Sequence, residues 1–394
     1  MITEKRKKAG YFILFAAIFI MTAAEWNVYE WYTAVSPYGT LFSSAALIAC
    51  FFCCVNVKDA VKDPVFYLMA AADVIALINL FLVNSHLGAI LTVADFLLIC
   101  YLANKMIVPK PFFIVSAALP AFYFFYWTID VKGYFKGYNT NYGGLILIGG
   151  FAFLMILMQY LREYFRENQT EKYRIIKWVL LLLQLFFIAL GYNIIAWYRS
   201  RCALAGWAVT VLLILLPKKI WKSRVLYALV SFFFTFGAVI TSAVYVWLGK
   251  VKDIFRIRIF YKDILSGREE LWGELWDAYL KRPFTGIGSA YEMQVDFMRG
   301  MFEVHNGLLD ILFVHGIAVF IAACLFLFFR LLKLRECVEK DETGKCIFAA
   351  MAAILVTSFF ENFVIVPPFS LLFLLLFALM NNRIERSGAG SGKV

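Results

Sequence analysis

Charge is scarce in this chain. Only 16% of its 394 residues are Asp, Glu, Lys or Arg, while 63% are hydrophobic and 18% aromatic. So apolar a composition excludes an ordinary soluble domain and reads as an all-α integral membrane protein. Histidine is scarcer still, with three in all. The eight cysteines lack metal-ligand spacing. Cys50, Cys53, Cys54, Cys100, Cys202 and Cys324 lie in or beside apolar runs, and Cys337 and Cys346 flank a charged loop. They read as packing residues, with neither disulfides nor a metal centre among them. A nucleotide site is also missing, since the Gly-Ser-Gly-Lys at 390–393 lacks the residues and context of a phosphate loop. No internal repeat is clear enough to support an inverted-repeat transporter.

What is present is a succession of apolar segments. Twelve begin near Gly10, Gly39, Pro64, Leu87, Phe112, Gly143, Ile175, Cys202, Val225, Asn306, Cys346 and Val364. Most are long enough to cross a hydrocarbon layer of roughly 30 Å. Glu361, Asn362, Pro367 and Pro368 mark a turn or a broken helix near the last two. Lys5 to Lys8 ahead of an apolar run resemble a signal peptide, but without a small-residue cleavage site the run is expected to be the first span. The net charge of +11 follows membrane topology and does not suggest nucleic acid. With the N-terminus inside, about two thirds of the 38 Lys and Arg fall in cytoplasmic segments, which favours an even count with both termini cytoplasmic. The expected organisation is nine transmembrane helices over 1–248, an extracytoplasmic loop over 249–304 and three helices over 305–386. A low-complexity, disordered tail is expected over 387–394.

The longest polar interruption runs from Ser266 to Gly316. Ser266 and Glu269 suit a capping box, which predicts a helix from about Gly267 to Lys281, stopped by Pro283. Leu271, Trp272, Leu275, Trp276, Tyr279 and Leu280 share one face of it, and Glu270, Glu274, Asp277 and Lys281 the other. Such a helix lies on the membrane surface or on the bundle. Arg268 falls at the edge of the apolar face, where it either snorkels or meets a ligand. Gly286 and Gly288 allow a turn, with amides that could face an anion. His305 stands near a helix N-terminus, whose dipole disfavours imidazolium. It is either an interfacial residue or a neutral general base.

The topology places Arg199, Arg201, Arg268, His305, Asn139, Asn141, Glu361 and Asn362 on the outer face. Arg199 and Arg201 crowd one short outer loop, where arginine suits a phosphate, whether of a lipid headgroup or of a substrate. Asp73, Asp95 and Gln184 fall inside spans, and such intramembrane carboxylates often mark ion paths. The charged stretch Leu161 to Arg174 reads as a solvated connection.

Four motifs then stand in order: Tyr138-Asn139-Thr140-Asn141-Tyr142-Gly143-Gly144; Ser200-Arg201; Gly267-Arg268 with Trp272 and Arg282-Pro283-Phe284-Thr285-Gly286-Ile287-Gly288; and His305-Asn306-Gly307-Leu308-Leu309-Asp310 with Gly316. This order resembles the O-antigen ligase and polymerase superfamily, over roughly Tyr138 to Phe369. The second motif departs from the family pattern, since Cys202 follows the arginine and Arg199 precedes it; the serine favours Arg201.

The resemblance implies a bacterial inner-membrane glycosyltransferase. Its donor would be a glycan on a polyprenyl (undecaprenyl) diphosphate, used at a site facing the periplasm or exterior, and its other partners a glycan acceptor and membrane lipids. Arg201 and Arg268 would hold the diphosphate, and His305 would activate the acceptor hydroxyl or orient the reaction. Arg199, Asn139, Asn141, Arg282, Asn306 and Glu361 are further candidates for substrate contact. No metal and no cofactor is implied, and the anomeric centre would invert by single displacement. The composition leans to a polymerase. A ligase acting on lipid A core or another surface acceptor shares the chemistry, and Asp73 and Asp95 suggest the alternative of a transporter or lipid-linked-oligosaccharide flippase.

Overall fold

The computed structural model describes residues 3–27, 29–129, 139–168, 173–251, 257–260 and 262–387. The helices are α1 (Glu4–Glu25), α2 (Tyr29–Cys54), α3 (Val57–Ala60), α4 (Pro64–Leu82), α5 (Leu87–Leu102), α6 (Phe113–Ile129), α7 (Thr140–Glu167) and α8 (Tyr173–Tyr198). They continue with α9 (Arg201–Leu215), α10 (Arg224–Lys250), α11 (Arg268–Tyr279), α12 (Gly307–His315), α13 (Ile317–Leu332), α14 (Arg335–Lys340), α15 (Glu342–Thr357) and α16 (Phe369–Ser387). The one departure from all-α among the described residues is an antiparallel pair, β1 (Arg258–Ile259) with β2 (Lys262–Asp263), in which Arg258 faces Asp263. The tail from 388 lies outside the described residues.

Among the described residues, eight helical stretches are long and apolar enough to cross a membrane, and α5 and α9 are shorter apolar helices. Among the described residues, α15 and α16 correspond to the last two of the apolar segments read from the sequence. The tenth segment is broken: Gly316, at φ +83°, separates α12 from α13. The last two segments are separate helices, joined by a non-helical turn over 358–368.

Helix α7 is the centre of the bundle. It is apolar on nearly all sides and packs against α6, α8, α9 and α15, as a helix enclosed by others must. Among the described residues of the stretch expected to be a solvated connection, Leu161 to Arg174, Arg166, Glu167, Asn168 and Arg174 are exposed, and Glu163 is the charged residue that departs from the expectation. Glu163 is buried and accepts from Arg383 Nη2 at 2.6 Å and from the Thr343 hydroxyl at 2.9 Å, while Arg383 also donates to Asp341 at 2.9 Å. The pairing ties α7 to α15 and α16, and a paired charge tolerates burial that a lone one does not.

All eight cysteines are free. Asp95 is buried beside Ser43 and Ser44. Asp73 is half-buried with one carboxylate oxygen lacking a hydrogen-bond partner, and Gln184 lies against Met155.

The break at Gly316 is filled by the loop after α11. Ile317 N–H donates to the Pro283 carbonyl at 2.9 Å, and Ile287 N–H to the Phe313 carbonyl at 2.7 Å. Gly288 N–H donates to the Val314 carbonyl. These amides close the backbone accounts of an interrupted helix. They therefore do not face an anion, which corrects that reading of the Gly286–Gly288 turn. A Cβ on Gly316 would run into the Phe284 carbonyl, and the positive φ is itself unfavourable for other residues. Gly316→Ala is expected to lower the melting temperature of the detergent-solubilised protein by several degrees. Gly273→Ala, in α11 with open space around it, should leave it unchanged or slightly raised. Fluorescence-detected size exclusion after heating reads both.

Candidate active site

The site is assembled on a helix that begins differently from its sequence signature. Helix α11 starts at Arg268, and Gly267 is its cap at φ +80°, with no side-chain cap bond. Ser266 is also left-handed, at φ +55°. This turn carries the serine hydroxyl away from the helix amides to the Asp263 carbonyl at 3.1 Å, so the expected capping box does not form. Leu271, Trp272, Leu275 and Tyr279 are buried against the bundle, whereas Leu280 is exposed beyond the end of the helix. Trp272 Nε1 donates to the Val304 carbonyl at 2.8 Å and Trp276 Nε1 to the Ser242 hydroxyl at 3.2 Å. Helix α11 thus lies on the bundle, across α10 and α12. On its polar face, Glu274 is engaged: Tyr291 OH and the amides of Gln294 and Val295 all donate to it within 2.9 Å.

Fixing α11 in this way aims Arg268 inward. Arg268 Nη2 donates to Glu361 Oε1 and to the Phe360 carbonyl, each at 2.8 Å. Asn141, in the first turn of α7, donates to the same Oε1 at 2.8 Å. The other carboxylate oxygen, Oε2, accepts from His305 Nδ1 at 3.1 Å, and Glu303 Oε1 lies 3.1 Å from that same nitrogen. Glu361 therefore joins an arginine, an amide and a histidine from three separate stretches of chain. It is only 8% exposed, so all three bonds are made largely out of water.

The turn that carries Glu361 is clipped in place. Asn306 caps α12 by accepting from Leu309 N–H, donates through its amide to the Phe359 carbonyl, and takes the Asn362 side-chain oxygen on its backbone N–H. Fully buried and fully bonded, Asn306 is a clip for the 358–362 turn. Its neighbour His305 adopts φ +51°, a strained conformation for a residue with a side chain.

Two cavities meet at this hub. One, of about 150 Å³, is lined by Arg201, Arg268, Tyr245, Cys202 and Asn141 among others, with no carboxylate. Arg201 opens α9 and donates to the Asp263 carbonyl and the Ser266 hydroxyl, which ties the β1–β2 hairpin to this cavity. The second cavity, of about 480 Å³, is lined by Glu25, Glu303 and Glu361 with Asn139, Asn141 and Asn362, and by no arginine or lysine among the described residues. Asn141 lines both, and the Arg268–Glu361 pair separates them. Arg199 is exposed and lines neither, which leaves Arg201 as the arginine of the pair at the cavity. Arg282 is likewise exposed and set apart from both cavities. Glu25 and Glu303 are additions that sequence reading did not supply. Glu303, two residues before His305, was open to it as an acid beside a histidine; Glu25 had no local signal.

The charge on His305 is decided by its surroundings. Burial disfavours the imidazolium, but the hydrogen bonds and charges of Glu303 and Glu361 outweigh it and raise His305 to about 9. For Glu303, burial pulls upward, and His305 together with the Arg268 charge outweighs it, leaving its carboxyl below the usual range. The neutral imidazole expected from the helix dipole is therefore not the favoured form. Glu303, His305 and Glu361 each offer one atom to a common point, within 4.8 Å of one another, so a cation has donors here. Two features oppose it: an imidazolium cannot ligate, and Arg268 already occupies Glu361.

Residues 185–324, about a third of the chain, match the family model described as O-antigen ligase. This segment belongs to the O-antigen ligase/polymerase superfamily. No curated protein and no solved structure matches the chain. Arg201, Arg268 and His305 lie inside the matched segment; Asn139, Asn141 and Glu361 lie outside it. Together, the match and the apolar helices support a membrane protein that carries a segment similar to the O-antigen ligase family.

A group whose folded value is raised stabilises the fold below its unfolded value and ceases to do so above its folded one. The His305 contribution is thus complete below its ordinary value near 6.5 and lost as pH rises through about 9. The melting temperature should decline over that window, and His305→Gln should flatten the decline. Differential scanning fluorimetry across pH 6 to 10 checks it.

Proposed function

We propose that the chain is a membrane glycosyltransferase that moves a glycan from a polyprenyl-diphosphate carrier to a sugar hydroxyl, on the outer side of a bacterial inner membrane with both termini cytoplasmic. The observation that carries this is the separation of charge across the Arg268–Glu361 pair: two arginines line one cavity, and carboxylates with amides line the other. The arginine cavity suits the diphosphate. The guanidinium forks of Arg201 and Arg268 can each pair with phosphate oxygens, and Arg268 Nε is buried without a hydrogen-bond partner. The cavity of carboxylates and amides suits the glycan and its acceptor.

In the step itself, the acceptor oxygen bonds to the anomeric carbon as the bond from that carbon to the diphosphate oxygen breaks. The electron pair leaves with the diphosphate, where fixed cations stabilise it. A single displacement of this kind inverts the anomeric centre. The proton of the attacking hydroxyl passes to the Glu303–His305–Glu361 cluster. Its raised proton affinity supports His305 as the charged, orienting member, with a carboxylate as the acceptor of the proton. The chemistry serves a polymerase and a ligase alike; we favour the polymerase, in which the acceptor is another lipid-linked repeat unit.

Arg268→Ala, Arg201→Ala and His305→Ala should each reduce transfer by about 100-fold or more while the protein still elutes as a folded species. Arg268→Lys should also fail, because a point charge does not reproduce the fork. Reconstitution with lipid-diphosphate-linked repeat units, read as a glycan ladder, measures this; normal ladders from these variants would remove the site assignment.

The reaction needs no metal in this scheme, with Arg268 in the place a cation would take. A chelator should leave the ladder unchanged. Loss of product restored by added magnesium or manganese would instead assign a cation to Glu303, His305 and Glu361.

A further inference from the structure

The smaller cavity holds one polar group that the fold does not use. Ala205, Ile259, Ile264 and Phe360 make its apolar wall, so each polar side chain in it can be traced. Asn141 donates to Glu361, and Arg268 to Glu361 and the Phe360 carbonyl. Arg201 donates to the Asp263 carbonyl and the Ser266 hydroxyl. The Cys202 thiol lies 3.2 Å from the Ser200 hydroxyl. Tyr245 is the remaining polar member, and among the described residues its hydroxyl has no hydrogen-bond partner. Its ring is nonetheless held. It packs against Trp272, with centroids 5.1 Å apart at 56°, and against Phe360, 5.8 Å apart at 52°. Trp272 belongs to the helix that Arg268 opens, and Phe360 is the neighbour of Glu361. Tyr245 is thus fixed to the same two elements as the ion pair, and the charges of Arg201 and Arg268 both act on its phenol.

We infer that Tyr245 is a further binding residue for the lipid-linked donor, its hydroxyl donating a hydrogen bond to a phosphate oxygen held between Arg201 and Arg268. The inference rests on the glycosyltransferase reading. A buried tyrosine hydroxyl usually finds a partner within the protein, and one held by packing with its donor unspent is set for a ligand. The phenol is a neutral donor, so its contribution does not depend on how the two arginines are paired. It keeps its proton throughout. As the bond from the anomeric carbon to the diphosphate oxygen breaks, the electron pair stays on the diphosphate, and a hydrogen bond to that growing charge strengthens. Replacing tyrosine by phenylalanine removes this bond and leaves the ring contacts with Trp272 and Phe360 in place.

The test is binding of farnesyl diphosphate, a short stand-in for the donor lipid, to the purified full-length chain in phosphatidylcholine nanodiscs, by microscale thermophoresis. Farnesol supplies the same tail without phosphate. Tyr245→Phe is expected to weaken the diphosphate about tenfold, the usual worth of one hydrogen bond to a charged group. It should leave farnesol binding and the melting temperature unchanged. Tyr245→Leu, which removes the ring as well, should lower the melting temperature. Equal diphosphate affinity for wild type and Tyr245→Phe, or no diphosphate binding by wild type, overturns the inference. So does a melting temperature that falls as far in Tyr245→Phe as in Tyr245→Leu, since the hydroxyl would then serve the fold. Discs that also contain phosphatidylglycerol separate the two sources of phosphate. The probe is expected to bind as before, and its displacement there would assign the hydroxyl to a phospholipid headgroup and overturn the inference. The glycan ladder separates this inference from the reading beneath it. Equal ladders from wild type and Tyr245→Phe, with equal binding, remove the tyrosine and leave the transferase. Hydroxyl-dependent binding of the diphosphate without any ladder from wild type supports the phosphate contact and counts against the transferase.

Discussion

One carboxylate organises the site. Glu361 accepts from Arg268 and Asn141 on one oxygen and from His305 on the other. Each partner is delivered by a different element: the start of α11, the first turn of α7 and the loop before α12. Removing a buried partner of an ion pair commonly costs about 3–5 kcal/mol, because the remaining charge is left without compensation. The geometry of Arg268 and His305 is therefore not a property of their own segments. It depends on the 358–362 turn, and that turn depends on Asn306, the residue beside His305.

The same pair divides charge in space. With Arg268 directed to one side and Glu361 to the other, arginines line one cavity and carboxyls line its neighbour, with Asn141 shared between them. Burial of the Arg268–Glu361 pair weakens solvent screening between the two sets, although Glu303 is exposed. In the proposed reaction, which would separate a diphosphate from a sugar, these two environments would lie a few ångströms apart.

Much of this was legible in the chain before its structure. Apolar segments separated by basic loops gave the helices, and the Arg-Pro-Phe-Thr-Gly-Ile-Gly and His-Asn-Gly motifs pointed to the stretch in which Arg268 and His305 converge on Glu361. What was not legible was local conformation and long-range pairing. Ser266 has a capping-box sequence, but two successive left-handed residues turn its hydroxyl away from the helix. The Gly286–Gly288 turn has the composition of an anion site, but its amides are consumed by a helix that breaks elsewhere. His305 was read from the helix dipole alone, and two carboxylates, one of them 56 residues away, outweigh that dipole. Glu25 carried no signal at all, because only packing brings the end of α1 to the cavity.

The distances along the chain between the hub residues have a bearing on how the protein is made. Asn141, Arg268 and His305 are synthesised before Glu361, and the turn that bears Glu361 is followed by α16, whose Arg383 ties the far end of the bundle to Glu163 and Asp341. Arginine and histidine thus emerge from the ribosome without the acid that orients them, and the hub closes only when the final hairpin of helices has been placed. A chain halted before residue 361 would hold most of the helices and every cation of the site, yet have no fixed direction in which to point them.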